Sequence, residues 1–412
     1  MSTPISTTIG ACRLCDSPNL EVILDLGAQP PANSLRLDRQ EKLVSVPLIV
    51  CRCSQCTTVQ LTESVAPEHL FRSYVWVTGT SQTARDYSKT FYDHLTQRRG
   101  GSPLFVVEVA SNDGTFLQRF REGGHRVLGV DPAKNLAVEA ERAGIPTLAE
   151  FFGLAASSDV VRAHGNADVV IARNVIPHVP DPNDVVSGIA HCLKDDGVGA
   201  IEFHWSEKIL TELQYDSIYH EHFFYHTLRS MEELLLRHSL TPFDVTESPI
   251  SGGALVVYFS KKPRPATTAL REKRAFEVQR GLTSLDAWKE FARRSLEHRE
   301  LLKAMVEGEI KAGKRLIGYG ASARSSTLLN FSGINHQHLR CIADQSPYKH
   351  NRYTPGTDVL IVAPEIALAE RPDTVVVLAW NFRNEVLNRL RELEFKGDVI
   401  IPLPTTPVKH RI

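Results

Sequence analysis

At 412 residues the chain is too long for a single core and should divide into two to four packed units. Its charge is balanced, 47 Lys and Arg against 48 Asp and Glu, which argues against a basic surface built for nucleic acid. No apolar run reaches the roughly 18–20 residues that cross a bilayer, and Met1-Ser2-Thr3-Pro4-Ile5 lacks the basic and apolar regions of a secretion signal, so a cytoplasmic protein with no membrane partner is expected.

Residues 1–70 read as short strands and turns around clustered cysteines. Five of the seven cysteines precede residue 57, which fits a local metal site better than a disulfide framework. Cys12-x-x-Cys15 and Cys53-x-x-Cys56 are two knuckles, each able to present two thiolates to one cation. Four sulfurs at tetrahedral spacing make a closed, structural zinc site. Cys51-x-Cys53 offers a rival pairing, but Cys53 with Cys56 has the better knuckle spacing. Cys192 and Cys341 stand alone and read as core residues. The stretch Leu24 to Pro31 is expected to be a loop, because Gly27 and the pair Pro30-Pro31 disfavour both helix and central strand.

A helical period over 83–98 leads into apolar runs at 104–109, 127–130, 167–172 and 198–203, separated by helical patterns at 133–143 and 182–193. That alternation predicts a parallel sheet covered on both faces. The first run stops at Ala110-Ser111-Asn112-Asp113-Gly114, and a helical pattern starts at once. Such a strand–turn–helix brings backbone N–H groups close to a ligand. The second run ends in Asp131, where a carboxylate can take both hydroxyls of a ribose. Glu108 inside the first strand, and a turn without the full G-x-G-x-x-G spacing, favour S-adenosylmethionine over a dinucleotide. Asn174 and His178 leave the third run at the same sheet edge and are candidates to face the site. Antiparallel strands are expected at 243–247 and 254–260.

Residues 263–312 are charged and helical, a linker or bundle leading to a second α/β alternation from Lys314 onward. There Gly318-x-Gly320-x-x-Ala323, with Asp344 downstream, is a formal dinucleotide fingerprint, so an NAD-dependent nucleotide-sugar oxidoreductase or epimerase stands as the alternative. The same turn could hold the diphosphate of a nucleotide sugar, with Gly320, Arg324, Lys349 and Arg352 as candidate contacts. The expected division is a zinc-binding domain at 1–70, a Rossmann-like S-adenosylmethionine-binding domain at 71–262, a helical linker at 263–312 and a second Rossmann-like domain, for the nucleotide sugar, at 313–412. A single chain is taken as the acting unit.

Tyr215 to His226 packs three histidines, three tyrosines and two acids into one short stretch. Its His220-Glu221-His222 is not the H-E-x-x-H spacing of a metal site, so general acid/base chemistry is the preferred reading. Histidine exchanges protons near neutral pH, and a neighbouring phenol or carboxylate can orient it. Tyr74, just before the first sheet, could close over the site.

Taken together these motifs resemble the three-domain S-adenosylmethionine-dependent C-methyltransferases that act on nucleotide-linked 4-keto-deoxysugars at C3. The resemblance rests on the cysteine knuckles, Glu108 to Gly114, Ala172 to His178, Ile218-Tyr219-His220-Glu221-His222, Gly252-Gly253, Gly318 to Arg324, and Asp344 to Gly356. It implies His222 as the base that takes the proton beside the sugar ketone. It implies Tyr219 and Glu221 as groups that hold substrate and base, with Tyr74 and His178 lining the pocket. It also implies structural zinc and a C-terminal sheet that completes the nucleotide-sugar cleft. The chain departs from the family at Ala110, where glycine is common, and at Ser251-Gly252-Gly253-Ala254-Leu255-Val256, which lacks the usual histidine, serine and arginine.

Overall fold

The computed structural model describes residues 5–66, 70 and 77–412, which include three sheets of four or more strands. The first has strands β1 (Leu20–Gln29), β2 (Val46–Cys53) and β3 (Val59–Leu61), all antiparallel, and is completed by the distant pair Phe224–Tyr225 against β3. β1 corrects the expectation of a loop at Leu24 to Pro31. It is an edge strand, so one flank needs no partner, and Gly27 at φ 82° sits in a register shift between Asp25 and Ala28. A bulge absorbs the glycine, and only Pro30 ends the strand.

The second sheet contains β4 (Phe105–Val109), β5 (Arg126–Val130), β6 (Thr147–Leu148), β7 (Ala167–Arg173), β8 (Leu193–His204), β9 (Thr241–Ser248) and β10 (Ala254–Ser260) in the order β9-β10-β8-β7-β4-β5-β6. Five strands run parallel, and the β9–β10 hairpin closes one side antiparallel. β4 is buried along its whole length, as a strand covered on both faces must be. β8 starts earlier than its apolar run, because Leu193 pairs with Ala167 before an irregularity restores the ladder at Val198.

The third sheet, β11 (Leu316–Tyr319), β12 (Ile342–Ala343), β13 (Ile361–Val362), β14 (Thr374–Val377), β15 (Asp398–Ile401) and β16 (Val408–Arg411), has the order β13-β12-β11-β14-β15-β16. It repeats the parallel winding of the second sheet and ends, like it, in an antiparallel strand. The mixed α/β class with two Rossmann-like sheets and an N-terminal cysteine cluster is therefore as expected.

Between the second and third sheets lie helices α1 (Thr268–Arg280) and α2 (Leu285–Lys311), parted by Gly281 in the left-handed region and restarted by the Ser284 side chain on the Ala287 N–H. They pack as a buttress. Trp288, Phe291, Leu302 and Val306 are buried, and Glu277 accepts from the Trp205 indole N–H and the Leu228 and Arg229 amides. Among the described residues, no helix is long and apolar enough to cross a membrane.

Candidate active site and metal centre

The two knuckles share one backbone device. The residue after each second cysteine, Asp16 and Thr57, sits in the left-handed region (φ 61° and 63°) and donates its N–H to the carbonyl of the first cysteine, Cys12 or Cys53. This curls both loops so that the Sγ atoms of Cys12, Cys15, Cys53 and Cys56 lie within 4.8 Å of one another. Cys12 and Cys56 approach to 3.6 Å, as do Cys15 and Cys53. A tetrahedron of thiolates at zinc–sulfur bonding distance needs sulfurs about 3.8 Å apart, so the donor set fits zinc with no open position. Cys51 is buried outside the group.

At the edge of the second sheet, Ala110, Asn112 and Gly114 all have positive φ (53°, 54° and 78°), so alternate residues of the turn are left-handed. Alanine in that region costs strain that the surrounding bonds must hold. They do: Ala110 N–H donates to the Val130 carbonyl, and the Asp131 carboxylate accepts from the Asn112 and Ala133 amides. Asn112 and Asp113 in turn accept from the amides of Thr78 and Gly79, which folds that segment over the turn. Gly129 must be glycine, because a Cβ there would collide with the Ser111 side chain.

Glu108 is 2 % exposed, and its Oε2 has no hydrogen-bond partner among the described residues. Burial pushes its carboxyl up to about 8, against the pull of the Arg173 guanidinium 4.0 Å away. Arg173 pairs with buried Glu202 at 2.7 Å and lies over the Phe116 ring.

A cavity of about 820 Å³ runs from this turn to the third sheet. Glu108, Ala110, Ser111, Asn112, Asp131 and Asn174 from the second sheet line it, as do His178, Tyr219 and His222, and Arg324, Asn381, Phe382 and Glu385 from the part of the chain that carries the third sheet. Of the residues expected to bind or react, Asp113, Gly114, Glu221, Gly320, Lys349 and Arg352 do not line it, and Tyr74 lies outside the described residues. Asp113 instead caps the helix at Thr115. Gly320 is explained by packing, since a Cβ there would meet Ala379. The Asp344 carboxylate accepts from the Ala321 and Ser346 amides and faces the Lys349 ammonium, which itself donates to the Ala321 carbonyl. Asp131 is held by two amides in the same manner, so this bonding does not separate the two turns; what does is that Asp131 lines the cavity and Asp344 does not.

The stretch 215–226 leaves the sheet edge as a 3-10 turn at Tyr215–Ser217 and ends in the strand pair with β3. It is not a helix. A turn from the His222 N–H to the Tyr219 carbonyl points both of these side chains into the cavity. The two residues between them face the first sheet. His220 Nε2 bonds the Val46 carbonyl, and the Glu221 carboxyl accepts from the Asn33 amide at 2.6 Å. Asn33 carried no motif and was not foreseen.

His222 Nδ1 donates to the Ser217 carbonyl at 2.8 Å, so its proton sits on that nitrogen and Nε2 accepts the Tyr219 hydroxyl at 2.7 Å. His178 Nδ1 donates to the Glu221 carbonyl, and its ring meets that of His222 edge-on, centroids 4.7 Å apart. Burial lowers His222 well below the ordinary imidazole value, helped by His178 beside it, and lowers His178 to about 4. Burial raises Glu221 to about 7, opposed by the Asn33 bond. At neutral pH the pair of histidines is therefore uncharged, and His222 presents a basic nitrogen through a phenol.

Comparison with known proteins bears on this arrangement. Residues 12–71 match the family described as "Putative zinc binding domain", residues 84–242 that described as "Methyltransferase domain", and residues 249–404 that described as "C-methyltransferase C-terminal domain". C-methyltransferase NovU of Streptomyces niveus is 32% identical over 404 residues, 96% of each chain. Among solved structures, magnesium protoporphyrin IX methyltransferase of Synechocystis PCC 6803 aligns at 12% identity and a TM-score of 0.33, over 42% of this chain and 78% of that one. The 1,6-didemethyltoxoflavin-N1-methyltransferase of Burkholderia thailandensis aligns at 22% identity and 0.35, over 45% and 81%. With a relative of such identity along almost its whole length, the chain belongs to the C-methyltransferase family and is a methyltransferase.

Proposed function

We propose that the protein methylates the carbon beside the ketone of a nucleotide-linked keto-deoxysugar, with S-adenosylmethionine as donor and zinc as a structural ion. The observation that carries this reading is the Tyr219–His222 pair, uncharged, fixed in one tautomer and lining the same cavity as the turn at Ala110 to Asn112 and as Arg324. A carbon next to a carbonyl becomes a nucleophile only when a base takes its proton and the oxygen gains a partner for its charge. His222 is the base in this proposal, with Tyr219 able to pass the proton or to donate to the enolate oxygen. His178, uncharged with its proton on Nδ1, lines the same cavity and packs its ring against His222. When bound, the sulfonium supplies an electrophilic methyl.

The residues of this chain do the holding. Glu108, Ser111, Asn112, Asp131 and Asn174 would receive the cofactor, and Arg324 with Asn381, Phe382 and Glu385 would receive the nucleotide side of the substrate. Glu221, bonded to Asn33, would set the floor under the base. The sheet edge keeps the two carbons aligned, the kind of fixed geometry that replaces an entropic search. The division into a zinc-binding module, a cofactor sheet, a helical buttress and a nucleotide-sugar sheet belongs to the same reading.

The test is a panel of nucleotide-linked 4-keto-sugars in buffered deuterium oxide, with the product examined by NMR. His222→Asn is expected to bind S-adenosylmethionine normally while losing both methyl transfer and uptake of deuterium beside the ketone. Undiminished uptake would remove His222 from the role of base.

A further inference from the structure

The tautomer of His222 depends on one acceptor, the Ser217 carbonyl, and that carbonyl is held from an unexpected side. Asp216, next to it, is fully buried, and its carboxylate receives two bonds from the Arg324 guanidinium, at 3.0 and 2.8 Å, and one from the Trp380 indole N–H at 2.7 Å. Arg324 also reaches Gln214 at 3.2 Å, and Thr327 donates to the Ile218 carbonyl at 2.8 Å. The Tyr215 hydroxyl meets His298, which bonds the Pro402 carbonyl. Every residue from 214 to 218 except Ser217 is thus gripped by the buttress or the third sheet, and Ser217 has one carbonyl left over, which takes the imidazole proton.

Resting on the reading of His222 as base, we infer that Asp216 and Trp380 are positioning residues, by which the third sheet aligns the Ser217 carbonyl and keeps the His222 proton on Nδ1. Neither Asp216 nor Trp380 lines the cavity, so neither touches substrate or cofactor. A carboxylate with three such bonds anchors the turn to the third sheet, beyond the turn's own bonds from the Ser217 N–H and hydroxyl to the Gln214 carbonyl and from the Ile218 N–H to the Tyr215 carbonyl. With the anchor loosened, the carbonyl can swing away and the imidazole can place its proton on Nε2, where it no longer accepts. Partners one shell removed from the reacting group typically contribute about 10-fold to 100-fold.

The experiment compares Asp216→Asn and Trp380→Phe with the unaltered protein by three measurements. These are kcat and KM for the keto-sugar, the rate of deuterium uptake beside the ketone, and the imidazole 15N resonances of His222, assigned by their absence in His222→Asn. The expected result is a fall in kcat of about 100-fold for Asp216→Asn and about 10-fold for Trp380→Phe, matched by deuterium uptake, with KM kept within about twofold for Trp380→Phe, which leaves the Arg324 pair in place. The nitrogen resonances should shift from one tautomer to a mixture. Trp380→Phe keeps the Arg324 pair, so it serves if Asp216→Asn does not fold. A rise in KM with kcat and tautomer unchanged would make the cluster a mere join between sheets and overturn the inference. Retained deuterium uptake in His222→Asn would instead defeat the reading of the base beneath it.

Discussion

Glu108 shows how much one buried side chain can decide. Its carboxyl, held up to about 8 by burial, is largely protonated at neutral pH, and its Oε2 has no hydrogen-bond partner among the described residues. In the proposed function this oxygen awaits the cation of the amino-acid part of the cofactor. A cation arriving nearby favours the ionised form, so binding must expel a proton. Calorimetry of S-adenosylmethionine binding at pH 7 in two buffers of different ionisation enthalpy should report release of up to about one proton. Affinity should rise with pH until about 8. Glu108→Gln should abolish both effects, and equal heats in the two buffers for the unaltered protein would refute them. At this scale the sequence was informative wherever chemistry makes a residue type rare. An acid inside an apolar strand and a run of histidines and tyrosines announce themselves. Asn33 and Asp216 do not, because their importance lies in which distant atoms they meet.

Among the elements, the knuckles and the edge strand make a contrast. The pairing of Cys12, Cys15, Cys53 and Cys56 could be read from spacing because a metal fixes ligand geometry regardless of the fold around it. The matched left-handed residues Asp16 and Thr57 could not, as neither is a glycine. Zinc analysis should find about one ion per chain, absent after joint Cys12→Ser and Cys15→Ser substitution, with a marked loss of thermal stability. Full zinc content in that variant would refute the centre. β1 went the other way. Local composition argued for a loop, but an edge position and a bulge let Gly27 stay within a strand. Whether a strand lies at an edge is a property of the assembled sheet, which a local reading does not contain. The dinucleotide-like turn at Gly318 was legible as a turn, yet its glycine and Asp344 serve packing and the Lys349 loop.

Over the whole molecule, buried titratable groups set a pH window for stability. Burial lowers many of the histidines, four of them strongly: His178 to about 4, His204 and His226 to about 3, and His222 well below its ordinary value. Between those values and about 6.5 the unfolded chain binds the extra protons, so their contribution is complete above 6.5 and is lost as pH falls. Glu108 and Glu221 are raised, to about 8 and about 7, so the folded state holds their protons, and their contribution is lost as pH rises through those values. The lowered histidines outnumber the raised carboxyls on the acid side, and above pH 6.5 the carboxyls alone among these groups still change charge. The melting temperature should therefore peak near pH 7 and fall more steeply toward pH 5 than toward pH 8.5. A curve flat from pH 5 to 7 would contradict these burial effects. The order of the two sheets was legible from alternating apolar runs, whereas the meeting of all three sheets at residues 214–226 was not, because no local pattern encodes which surfaces touch.

That meeting has a consequence for how the enzyme comes into being. The indole that grips Asp216 belongs to residue 380, so, on the inference drawn above, the imidazole would gain its working form only once most of the chain has been made. A nascent or clipped chain ending sooner would own a complete cofactor pocket yet no disciplined base.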